Sequence, residues 1–133
     1  MLPRILHPEQ LQGYRLGQAD HCRLALLNNP DQGGCTMFLE VHDPCDRVPP
    51  HAHHHAAELF FVLRGTVIFH VGDRSITARG GDFVLVPEEA IHDLENPGPQ
   101  RLYLLTVLSC DGGFARSEEH TSELQSPCNL VCR

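Results

Sequence analysis

Pro50-His51-Ala52-His53-His54-His55-Ala56-Ala57-Glu58-Leu59-Phe60-Phe61-Val62-Leu63-Arg64-Gly65 is the stretch that decides how this chain is read. Histidines and a carboxylate stand directly before an apolar strand and a glycine turn. His51 and His53, two apart, point to the same side of an extended strand. Neutral imidazole is a good ligand for iron, manganese, nickel, copper or zinc, and a carboxylate adds charge compensation. A further ligand is available at His92. The register His53-x-His55 is an alternative that brings Glu58 only three residues later. A solvated histidine-rich loop without metal is the other competing reading.

Working outward, the chain reads as short strands and turns, with no long helical pattern. The first residues, Met1 to Gly17, read as an arm with Pro3 and Pro8, and Cys22 to Leu27 as a strand. Thr36 to His42 alternates around Met37, Leu39 and Val41. Residues 43–50 hold three prolines and read as a loop. Strands are expected at Glu58–Leu63, Thr66–Val71, Arg74–Ala78, Asp82–Val86, His92–Glu95 and Arg101–Leu108. Glycine, proline and asparagine separate them, which argues an all-β sandwich or barrel. Gly65 and Gly81 are expected at positive φ, and Asn96 is expected to close a turn through its side chain. Leu59–Leu63 and Leu102–Leu108 are apolar on both faces, so one face fills the barrel and the other must pack on the arm or a second subunit.

Two spaced patterns now stand out. His51-x-His53-x4-Glu58-x6-Gly65 resembles the first motif of the cupin family, and Gly81-x5-Pro87-x-Glu89-x2-His92-x3-Asn96 is similar to the second. One position departs: the family usually has glycine where this chain has Glu89, which bears on the tight turn before His92. The resemblance covers roughly residues 37–106. It implies a single-domain cupin, a double-stranded β-helix or jelly-roll barrel, over residues 36–115, with residues 1–35 as an arm and first strands. It also implies that His51, His53, Glu58 and His92 bind one divalent metal ion per chain (iron, manganese, nickel or zinc).

Residues 116–133 are read apart. Arg116 to Ser126 resembles the translation of a common sequencing adapter, which implies that the native frame is left near Arg116. The alternative is a genuine polar tail with Ser117 capping a helix and Glu118 and Glu119 in its first turn.

Composition narrows the partners. The 133 residues carry 10 basic and 17 acidic side chains, a net charge of −7, and no lysine. Nucleic-acid phosphates and anionic membranes need clustered basic charge, so neither is expected as a partner. The length suits one domain. Cys22, Cys35, Cys45 and Cys110 form no C-x-x-C pair and read as small buried hydrophobes. No signal peptide or apolar run of membrane-spanning length is visible, so a cytoplasmic protein is expected.

As chemistry, three imidazoles and one carboxylate leave a dipositive ion with a net charge of about +1 and open positions. Such a site invites water, oxygen or a chelating small-molecule substrate. Phe38, Phe60, Phe69 and Tyr103 are candidates for the pocket wall, although barrel cores share that composition and core filling is the better reading of each. Glu58 is also a candidate base. The family resemblance favours a mononuclear dioxygenase acting on a small organic substrate. A non-redox isomerase or lyase on a sugar or keto acid and a non-catalytic small-molecule-binding or sensor protein are the alternatives. A homodimer is expected, because cupins commonly pair through the outer face of a sheet.

Overall fold

The computed structural model describes residues 2–15, 22–28, 34–109 and the strand residues 127–128. After a 3-10 turn at Pro8–Gln10 come β1 (Gly13–Arg15), β2 (Arg23–Leu26), β3 (Cys35–His42), β4 (Arg47–His51) and β5 (Glu58–Arg64). They are followed by β6 (Thr66–Val71), β7 (Arg74–Arg79), β8 (Phe83–Val86), β9 (His92–Glu95), β10 (Leu102–Ser109) and β11 (Pro127–Cys128). One sheet has the order β11-β1-β2-β3-β10-β5-β8 and the other the order β4-β9-β6-β7. The spacing of strands and turns predicts an all-β sandwich or barrel, and the two sheets form the jelly roll that the cupin resemblance implies.

Strand alternation builds the core. Phe60 and Val62 of β5, Leu102 and Leu104 of β10, and Val86 of β8 face inward from the larger sheet. Val67, Phe69, Ala78 and Leu94 meet them from the smaller one. The Phe60 and Phe69 rings lie 4.9 Å apart between the sheets. Burying each such side chain contributes about 1.5–3 kcal/mol. Gly65 turns β5 into β6 at φ +100°, and a Cβ there would sit 2.7 Å from the Arg101 carbonyl oxygen, so only glycine fits.

The loop expected over residues 43–50 is corrected: Arg47–His51 is strand β4, Pro49 and Pro50 included. It is an edge strand of its sheet, and its pairing with β9 shifts register between Val48 and His51. Proline lacks an N–H to donate, and an edge with an irregular ladder is where that loss is tolerated.

Part of the arm joins the larger sheet through β1. β1 pairs with β2, and Leu11 packs on the buried pair Ala25 and Val41, on the outer face of β2 and β3. Pro127 and Cys128 pair with Tyr14 and Gly13. Residues 116–126, which carry the adapter-like stretch, lie outside the described residues. No helix among the described residues is long and apolar enough to cross a membrane.

Candidate metal centre

The register of β4 against β9 sets His51 directly opposite His92. His53 follows two residues after β4 ends, and Glu58 begins β5 with its side chain inward. The loop between them is tied down by the Glu89 N–H, which donates to the His53 carbonyl at 3.0 Å. These connections bring one donor atom from each of His51, His53, Glu58 and His92 within 4.8 Å of one another. The imidazole centroids lie 4.4 Å (His51–His92), 5.1 Å (His51–His53) and 5.8 Å (His53–His92) apart. Glu58 and His92 are buried, and His51 and His53 are half-buried, so the cluster opens on their side.

The hydrogen bonds orient the donors. The Nδ1 of His51 lies 2.8 Å from the Pro49 carbonyl, and that of His92 lies 2.9 Å from the Ala90 carbonyl. A carbonyl only accepts, so both Nδ1 atoms carry the proton and each Nε2 is left to face the cluster. Glu58 Oε2 lies 2.9 Å from His92 Nε2 and 3.1 Å from His53 Nε2. Nitrogen and carboxylate lone pairs at this distance need a cation between them, either a proton or a metal ion. Adjacent ligands at right angles around an ion with ~2.1 Å bonds stand about 3 Å apart. The donor set therefore fits a divalent ion with open positions.

Charge follows the same geometry. Burial opposes ionisation of Glu58, yet hydrogen bonds from His53 and His92 bring its carboxyl down to about 2. Burial also works against a charged His92, but Glu58 and the Ala90 carbonyl raise it above its ordinary value. His51 is lowered, chiefly by burial. At neutral pH Glu58 is a carboxylate, suited to a ligand. A carboxyl held this low is a weak proton acceptor, so a role as base requires release of both imidazole contacts.

Of the four aromatic wall candidates, Phe60 approaches the cluster, with its ring 6.3 Å from that of His92. Phe69 packs behind it in the core. Phe38 is buried with Leu24, Ala56 and Leu108. Tyr103 does not join them: it points to the other face of β10, against the Ala25 and Val41 cluster, because the inward positions of that strand are Leu102, Leu104, Thr106 and Leu108. His54 and His55 stand outside the four, and the exposed His54 pairs with Glu89. His70 contacts Ser75 near the surface.

One group escaped the reading of the sequence. His42, without a visible partner there, is buried beside Cys22, Glu40 and Asp46. The available signal was the alternation Phe38-x-Glu40-x-His42, which sends two polar side chains to the core face of β3.

Comparison with known proteins agrees with the fold. A predicted oxalate decarboxylase from Thermotoga maritima superposes with a TM-score of 0.72 at 18% identity, over 80% of this chain and 98% of that one. An RmlC-like cupin from Shewanella frigidimarina superposes with a TM-score of 0.68 at 18% identity, over 81% and 91%. In sequence, the mannose-1-phosphate guanylyltransferase RfbM of Salmonella typhimurium is 33% identical over 66 residues, half of this chain. The chain spans only 14% of that enzyme's length. Residues 38–108, more than half of the chain, match the family model described as a cupin domain. With both motifs in register on a jelly roll, this chain belongs to the cupin family.

Proposed function

We propose that this cupin is a metalloenzyme of the dioxygenase type, with one divalent ion held by His51, His53, Glu58 and His92 and a small organic substrate bound beside it. The observation that supports the reading is the convergence of these four donors, with Glu58 Oε2 at 2.9 and 3.1 Å from two imidazoles and the open side toward His51 and His53. A bound ion would polarise an oxygen of the substrate or bring substrate and dioxygen together. The chain's own residues hold tautomers and exclude water. Pro49 and Ala90 fix the imidazoles, Phe60 closes the inner side, and the Glu89–His54 pair stands at the mouth.

A second reading is a non-redox isomerase or lyase on a sugar or keto acid; the matched mannose-1-phosphate guanylyltransferase is named for a sugar-phosphate substrate. A phosphorylated substrate wants a basic side chain at the site. Here Arg23 and Arg101 engage Asp43, and Arg47 engages Glu95. This favours an unphosphorylated organic acid or a chelating enol over a sugar phosphate.

We further place the protein in the cytoplasm as a homodimer. Cys22, Cys35 and Cys45 are free thiols, as a reducing compartment keeps them. Exposed Phe83 and Leu85 lie on β8, an edge strand of the larger sheet.

Elemental analysis of protein purified without a His-tag or chelator tests the metal, and oxygen consumption with candidate phenolic and keto-acid substrates tests the reaction. Stoichiometric metal with substrate-dependent oxygen uptake supports the dioxygenase. Turnover without oxygen uptake selects the second reading. Ligand-induced melting shifts without product indicate a binding protein. Folded protein that takes up no metal when supplied with it overturns the proposal.

A further inference from the structure

Cys22, Glu40 and His42 form a second cluster inside the barrel, away from the first. Arg23 pairs with Val41 across β2 and β3, which carries Cys22 to the position opposite His42. The Cys22 Sγ lies 3.6 Å from His42 Nε2, and the same nitrogen lies 3.9 Å from Glu40 Oε2. One ligand atom from each of the three falls within 4.8 Å of the others. Their exposures are 1%, 6% and 0%, so bulk water does not solvate them. Thr106 Oγ1 donates to Glu40 Oε2 at 2.8 Å and fixes that carboxylate. On the far side of the imidazole, Asp46 Oδ2 stands 3.3 Å from His42 Nδ1. Both of these atoms are buried, and neither makes a hydrogen bond.

The two clusters sit at opposite ends of the barrel interior. His51 and His92 pair at one end of β4 and β9. At the other, Asn96 donates from its backbone to the Asp46 carbonyl and from its side chain to the His42 carbonyl. Asp46 and His51 are five residues apart along the chain, at most roughly 17 Å at about 3.3 Å per residue.

We propose that Cys22, Glu40 and His42 form a second metal site, buried and structural, for a thiolate-accepting divalent ion of the zinc class, which fastens the start of β2 to β3. Sulfur and nitrogen ligands at ~2.3 and ~2.05 Å from a tetrahedral ion stand about 3.5 Å apart, and the Cys22–His42 separation is 3.6 Å. The first cluster has the shorter spacings of right-angled N/O ligands and no sulfur, so the two differ in the ion that they suit. Asp46 Oδ2, 3.3 Å behind the imidazole, is close enough to accept from Nδ1–H once an ion fixes the ring, as carboxylates do behind histidine ligands. With three protein ligands the fourth position would fall to a water molecule, and the thiol proton leaves on binding.

The order Cys22, His42, Asp46 also has the outline of a nucleophile, base and orienting acid. Burial argues against that use: no substrate reaches a sulfur that is 1% exposed. A small ion needs only transient opening.

Cobalt(II) added to the chelator-stripped full chain reads the site directly, because only a sulfur ligand gives a thiolate-to-cobalt charge-transfer band. The band is expected in the parent protein and in the His51→Ala/His92→Ala variant, which lacks the first cluster. It is expected to vanish in Cys22→Ala, which keeps uptake at the first cluster. Glu40→Gln, which conserves volume and the Thr106 contact, should weaken cobalt binding at the band about tenfold or more, and it serves if Cys22→Ala does not fold. A folded parent protein without the band, or a band that survives Cys22→Ala, overturns the proposal.

Discussion

Glu89 Oε2 accepts a hydrogen bond from His54 Nδ1 at 2.6 Å while the Glu89 backbone holds φ +64°, the conformation that a glycine would supply at this position of the second motif. The departure from the family pattern therefore leaves the turn before His92 intact. What the side chain adds is a tie to the first motif: its other oxygen accepts from the His55 N–H at 3.4 Å. The His54 hydrogen bond holds the Glu89 carboxyl below the usual carboxylate range. Glu89→Gly is expected to keep the fold and metal uptake but to speed amide exchange at His54–Ala56 several-fold, because the loop loses both hydrogen bonds to the Glu89 side chain. Unchanged exchange there would mean that the pair does not hold the loop.

Glu58→Gln tests the first cluster. Gln conserves volume but removes the anion that His53 and His92 both approach. Metal affinity is expected to fall about 100-fold or more, a larger loss than is typical of groups behind the ligands, with the fold retained. Undiminished loading by elemental analysis would remove Glu58 from the ligand set. His92→Ala should act in the same direction.

The metal-free protein should lose stability in acid, and the sign follows from Glu58. Its carboxyl is about 2 in the folded state against an ordinary 4.5. The unfolded chain therefore takes up the proton first as pH falls. This contribution, on the order of a few kcal/mol, is fully present above about 4.5 and is lost between there and about 2. His92 is shifted upward, so its share is present below its ordinary 6.5 and is lost as pH rises through the folded value. Chemical denaturation of chelated protein from pH 2 to 8 measures both limbs. A Glu58→Gln profile with the same acid slope would exclude this carboxyl as the cause. In the metal-loaded protein, affinity should fall as the pH drops, since protons compete for the imidazoles.

Much of this site was legible because its signals are local. His51, His53 and Glu58 lie within one stretch, although the strand stops at His51 and His53 reaches the cluster from the loop that follows β4. β6 and β9 fall where turn residues bound them. β4 was hidden by Pro49 and Pro50, whose tolerance depends on an edge position that no single strand reveals. Whether Tyr103 faces the pocket or packs elsewhere was not legible, because β10 is apolar on both faces and alternation does not say which face is the barrel interior. The Cys22–His42 contact depends on the register of β2 against β3, a relation between segments 20 residues apart.

A chain ending at Ala115 tests whether residues 116–133 belong to the fold. β11 offers β1 only the pairs Gly13–Cys128 and Tyr14–Pro127 at the sheet edge. So short an edge ladder adds little, and the truncated protein is expected to melt close to the full chain. A clear fall in melting temperature would make the tail part of the structure.

Among the described residues the larger sheet ends at β8, and the outward side chains Phe83 and Leu85 of that strand are each 67% exposed. Phe61 stacks on Phe83 with ring centroids 4.4 Å apart, so the patch continues onto β5, where Leu63 is also exposed. An apolar edge of this kind invites strand pairing or aggregation unless something covers it. A second copy can do so symmetrically, burying the same residues twice. Phe83→Glu with Leu85→Lys is expected to shift light-scattering mass from dimer to monomer while metal content stays unchanged, because neither residue touches the metal cluster. A monomeric parent protein at tens of micromolar would sink the dimer, and a dimer that survives the double substitution would move the interface away from β8.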